Sequence, residues 1–238
     1  MIRPTIPIDE LTAYLFGPSD SSLAAEIGPW LVASSRFRAF AEIYRDKIRK
    51  KARGLRDDNS RRDLAFELAI ASRLLAERRF GVEYESYGVG QRAPDFRVTF
   101  RSNLRFNVEV RRLHWSAPTP GAPMDPARLI RAVSDKLGQL PTAMINVLFL
   151  GAESPSPAGD VLAPAMRSLQ ERAAAKDEMF FEQRGFTGTR DFQRHYQRLS
   201  GAVWLAGNTS GPPSLWRNPQ ARHPLPADLA RALNQPAH

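Results

Sequence analysis

The sequence predicts an α/β chain. A mixed sheet carries helices, and its core runs helix, three strands, helix, strand. Three observations lead there. Leu64, Leu68, Ala71 and Leu75 form an apolar stripe at helical spacing. Residues 93–113, APDFRVTFRSNLRFNVEVRRL, alternate with the period of two that a hairpin shows. MINVLFLG (144–151) and GAVWLAG (201–207) are short apolar runs flanked by Pro or Gly, the pattern of buried strands.

In chain order, residues 1–32 read as short helical pieces punctuated by Pro and Gly. A basic amphipathic helix is expected from Ser34 to Arg53. GLRDDNS is a turn, and Asn59 or Ser60 can cap the next helix, which runs to Arg79 and stops before Gly81. Strands are expected at 82–87, 94–100 and 105–113. A Pro- and Gly-rich loop leads to a helix over Pro126–Leu140, and further helices are expected near 160–176 and close to the C-terminus. This divides the chain into a helical N-terminal extension (1–59), the α/β core (60–210) and a tail (211–238).

Composition narrows the function classes. The chain has 238 residues and 42% hydrophobic content, ample for one core. It has no cysteine, which excludes disulfides and thiolate chemistry and fits a cytoplasmic protein. No run of about 18 apolar residues exists, so no membrane partner is expected. The first residues do not read as a signal peptide. Net charge is +9, which favours polyanionic partners, nucleic acid first. From Arg36 to Arg62 there are 11 Lys or Arg and 4 Asp or Glu, a local excess of 11 − 4 = 7. Phe37, Phe40, Tyr44 and Ile48 recur there at helical spacing. Arg45, Arg49, Lys50 and Arg53 lie on other faces and are candidate phosphate contacts.

The hairpin carries the chemistry. If Arg101, Ser102 and Asn103 form its loop, with Asn103 left-handed, then Phe100 meets Leu104, Val98 meets Phe106 and Phe96 meets Val108. The same register sets Asp95 against Glu109, with Arg111 two residues on along the same face. Opposed carboxylates repel unless a positive group stands between them. Arg111 or a hard divalent cation would serve. Glu67 borders the apolar stripe of the preceding helix and points toward the same region.

Pro94–Asp95, thirteen residues, then Glu109–Val110–Arg111, with Glu67 on a preceding helix, resembles the PD-(D/E)XK nuclease superfamily. The resemblance covers residues 60 to 150 and implies a restriction-endonuclease-like core. It further implies a metal-dependent endonuclease that hydrolyses phosphodiester bonds in DNA. Asp95, Glu109 and the Val110 carbonyl would bind Mg²⁺ or Mn²⁺, Glu67 would assist, and Lys136 and Gln139 would stand at the site's edge. The family pattern has Lys where this chain has Arg111. Arg can clamp phosphate but keeps its proton, so it cannot act as a base. The alternative is a catalytically silent module of the same fold that binds nucleic acid or a protein. A homodimer would suit an enzyme that cuts two strands.

No glycine-rich phosphate loop or paired-histidine metal motif is present.

Overall fold

The computed structural model describes residues 6–17, 21–85, 94–114, 125–152, 161–206 and 212–236. The N-terminal helices are α1 (Ile8–Phe16), α2 (Ser21–Ala33), α3 (Ser35–Ile43), α4 (Arg45–Arg53) and α5 (Asp58–Ala76). The strands are β1 (Phe80–Tyr84), β2 (Phe96–Phe100), β3 (Leu104–Leu113), β4 (Ile145–Ala152), β5 (Gly201–Ala206) and β6 (Ser214–Arg217). Helix α6 (Pro126–Leu137) joins β3 to β4. Helices α7 (Leu162–Ala174), α8 (Glu178–Glu182) and α9 (Thr189–Tyr196) stand between β4 and β5, and α10 (Ala227–Leu233) follows β6.

The six strands lie in sequence order in one mixed sheet. β1, β2 and β3 are antiparallel neighbours, β3, β4 and β5 are parallel, and β6 is antiparallel to β5. Strand alternation sends two sets of side chains to opposite faces. Phe96, Val98, Phe106, Val108, Val147 and Val203 join the core under α1–α5 and α10. Leu113, Leu148, Leu150, Ala202 and Trp204 join a second core under α6–α9. The architecture is a sheet between two helical layers. No helix among the described residues is long and apolar enough to cross a membrane.

The hairpin has the expected register: Phe96 pairs with Val108, Val98 with Phe106 and Phe100 with Leu104. Its loop differs in one respect. Positive φ falls at Arg101 (52°) and Ser102 (73°), not at Asn103. The Asn103 amide donates to the Phe100 carbonyl at 3.4 Å, so the two left-handed residues are the centre of a tight turn. Such a turn follows the right-handed twist of the strands. The Arg101 amide meanwhile continues the ladder to the Arg79 carbonyl at 2.9 Å.

Other elements correct the sequence reading. The single helix expected over 34–53 is two helices sharing Tyr44 as cap. The Tyr44 ring packs on Phe40 and Tyr84, at centroid distances of 4.9 and 5.9 Å, and this seating redirects the chain. The cap of α5 is Asp57 rather than Asn59 or Ser60. Its carboxylate accepts from the Ser60 amide at 2.7 Å, and Ser60 reciprocates in a capping box. β1 begins two residues early, at Phe80, and residues 86–87 lie outside the described residues. Helices α8 and α9 and strand β6 were not expected. The first two are short, and β6 lies within a stretch rich in Pro.

Candidate active site

The site forms where β2 begins and β3 runs past it. Proline 94 explains why. The register places Pro94 opposite Val110, and a proline has no N–H to close that rung. The ladder stops there, and the Asp95 carboxylate replaces it by accepting from the Val110 amide at 2.8 Å. The Val110 carbonyl points the same way as its amide and loses the donor that a non-proline residue would have supplied.

Glu109 is 3% exposed, and its side chain accepts from Lys136 Nζ at 2.8 Å. Lys136 comes from the last turn of α6, the crossover helix that packs on β3. The positive group that answers the opposed carboxylates is therefore Lys136. Burial, and then the charge of Asp95, push the Glu109 carboxyl up to about 7, against the pull of Lys136. Burial likewise raises Asp95.

Glu67 projects from α5 and accepts from Lys51 Nζ at 2.7 Å. Lys51 also pairs with Glu85 at 2.8 Å and sits 4.8 Å from the centroid of the Tyr84 ring. Burial raises Glu67, as does the charge on Asp95, while Lys51 opposes both. The buried Tyr84 hydroxyl lies beside Glu67 without a well-formed hydrogen bond. Four carboxylates, Glu67, Glu85, Asp95 and Glu109, thus converge with two lysines.

Arg111 is exposed on the Glu109 side of β3 and lines a cleft rather than bonding either carboxylate. Arg112 points to the opposite face. Its Nε donates to Asp63 at 2.8 Å and its Nη2 to the Asn59 carbonyl at 3.0 Å, tying β3 to the start of α5. His114 meets Asp63 at 3.0 Å, away from the carboxylates. Gln139 is exposed one turn beyond Lys136, with its Oε1 3.4 Å from Nζ.

Helix α4 contributes in a way the sequence reading missed. Arg45 and Arg49 lie over the Tyr14 ring of α1, at 5.4 and 4.2 Å. Lys50 and Arg53 are exposed. Lys47 and Lys51 instead face the site, and Lys47 donates to the Tyr84 and Glu85 carbonyls at 3.0 and 2.9 Å. The signal was present: Lys47 follows Tyr44 by three and Lys51 follows Ile48 by three, so both border the apolar stripe.

One oxygen of Asp95, Glu109 and Glu67 is engaged in each case, by Val110, Lys136 and Lys51. A cation bound here would be offered the second oxygens of Asp95 and Glu109 and the Val110 carbonyl, all hard oxygens. That chemistry suits Mg²⁺ or Mn²⁺ keeping several waters. Among the described residues no three His, Asp or Glu side chains are grouped closely enough to cage an ion by themselves.

Comparison of the chain with protein-family models, with curated proteins and with solved structures yields no match.

Proposed function

We propose that the protein is a metal-dependent nuclease of the PD-(D/E)XK type, hydrolysing phosphodiester bonds in DNA. The observation that carries this reading is the meeting of Asp95 and Glu109 at the broken rung opposite Pro94, where Asp95 accepts from the Val110 amide and Glu109 from Lys136. The order α5, β1, β2, β3, α6, β4 supports a restriction-endonuclease-like core.

Asp95, Glu109 and Val110 would hold Mg²⁺ or Mn²⁺, which when bound polarises a phosphodiester and acidifies water. Lys136 supplies the ammonium that position 111 lacks. It holds Glu109 in place and can orient water or offset developing negative charge, roles for which a lysine suits better than an arginine. Glu67, held by Lys51, borders the site and can accept a proton from water. Arg111 is placed to grip a phosphate.

The test is plasmid nicking in Mg²⁺ and in Mn²⁺, with calorimetric Mn²⁺ titration of the same samples. Asp95→Ala and Glu109→Gln are expected to abolish nicking and to weaken Mn²⁺ binding at least tenfold. Unchanged Mn²⁺ affinity in both variants would overturn the reading.

A silent module that grips nucleic acid is the second reading. It is favoured by Arg111 standing where the family pattern has lysine. In that case wild type binds without nicking, and Arg111→Lys either restores cleavage or leaves the site inert.

A further inference from the structure

A cleft of 630 Å³ opens between α6 and the end of β3, starting at Arg111, two residues past Glu109. Arg111, His114, Arg128, Arg131 and Arg184 line it, with Asp125 and Asp135 the acids on its wall. Arg111, Arg128 and Arg131 are exposed and have no ion-pair partner among the described residues. Arg184 is set differently. Its guanidinium stacks on Phe180 at 3.5 Å and donates to the Phe180 carbonyl at 2.9 Å, leaving its buried Nε without a partner. Arg172 stacks on the same ring at 4.1 Å. Burial lowers the Arg184 pKa, and the like charges of Arg172 and Arg131 lower it further, while Asp135 and Asp177, the latter paired with Arg172, oppose them. Guanidinium groups gathered against their own repulsion are stabilised by an anion.

We infer that this cleft binds the sugar–phosphate backbone of a nucleic-acid duplex and leads it to the Asp95–Glu109 site. The inference rests on the nuclease reading for what happens at the carboxylates, but not for the binding itself. The spacing suits a backbone. From Arg128 to Lys136, α6 rises about 12 Å. That is about three to four steps of one duplex strand. The lining suits a duplex. Binders of single strands add Phe, Tyr or Trp platforms for bases, and among the described residues none of these lines the cleft. It also has no Asn or Gln to pair with adenine edges, and its arginines are assigned here to phosphates, which carry no sequence information.

The experiment is fluorescence anisotropy of the full chain with labelled duplex DNA in EDTA, over a series of NaCl concentrations. Arg128→Gln with Arg131→Gln is expected to weaken binding about tenfold or more and to lower the log–log salt slope by about 2, roughly one per phosphate contact. The loss should be equal for two unrelated sequences. Both side chains are exposed, so the thermal melt should not move. An unchanged slope in the double variant overturns the inference, and so does a single strand of equal length bound as tightly as the duplex. The two readings fail separately. Asp95-dependent nicking with affinity indifferent to the arginines sinks the cleft alone. Arginine-dependent affinity without nicking sinks hydrolysis alone.

Discussion

Lys136 and Glu109 form the contact on which most of the site's electrostatics turns. Removing a partner from a buried ion pair leaves an uncompensated charge, which costs about 3–5 kcal/mol. Lys136→Met should therefore destabilise the protein. The loss should be larger at pH 8 than at pH 5, because Glu109 can take up a proton at the lower pH; thermal melts at both values check this. The wild-type carboxyl titrates at about 7 in the fold, above its ordinary 4.5. Its protonated form is thus the one folding favours. That contribution is complete below about pH 4.5 and is lost as pH rises through 7. Denaturant melts in EDTA should show wild type losing stability relative to Glu109→Gln over that window, by at most about 1.4 kcal/mol per pH unit. Metal uptake needs the ionised carboxylate, so Mn²⁺ affinity should fall as pH drops below 7.

At the scale of elements, the hairpin was readable because its apolar residues admit one register, and that register carried Asp95 to Glu109 without further information. The lysines were not readable in the same way. Lys136 meets Glu109 only because α6 packs on β3, and Lys51 reaches Glu67 only because the chain turns at Tyr44. Neither meeting has a local signature. The parallel strands are fastened by another device of this kind. Asn146 on β4 receives from the Asn107 amide at 3.1 Å and donates to the carbonyls of Pro141, Met144 and Arg198 at 2.8, 3.1 and 2.9 Å. Asn146→Ala would orphan these groups in a buried place and should cost about 2–4 kcal/mol, read as a shifted denaturant midpoint with an unchanged m-value. Gly151 on the same strand faces Phe66 of α5, where an added Cβ would come within 2.5 Å of the ring. Gly151→Val should displace the Phe66 ring and loosen the packing of α5 on the sheet, read as a lowered melting temperature.

For the whole molecule, the N-terminal helices are part of the fold rather than an extension to it. Leu11, Leu15, Leu23, Ile27, Leu31, Phe37, Phe40 and Ile48 are buried in the same core as Phe96 and Val108. A chain beginning at residue 57 would lose them along with Lys47 and Lys51. It should give a collapsed spectrum by heteronuclear NMR and no cooperative melt. Lys51 and Lys136 reach the carboxylates from opposite helical layers, and their charges do not match the acids they meet. Four carboxylates against the two lysines paired with them leave 4 − 2 = 2 negative charges in excess when all are ionised, an excess that Lys47, on the Tyr84 and Glu85 carbonyls, partly offsets. If the site takes a divalent cation, as proposed, that ion would displace the proton that burial favours on Glu109. Loading would then be an ion exchange, in which acid is expelled into the medium. Calorimetry in buffers of different ionisation enthalpy would register it as heat that depends on the buffer, and a protein poised this way would feel the acidity of its surroundings as a competitor for its metal.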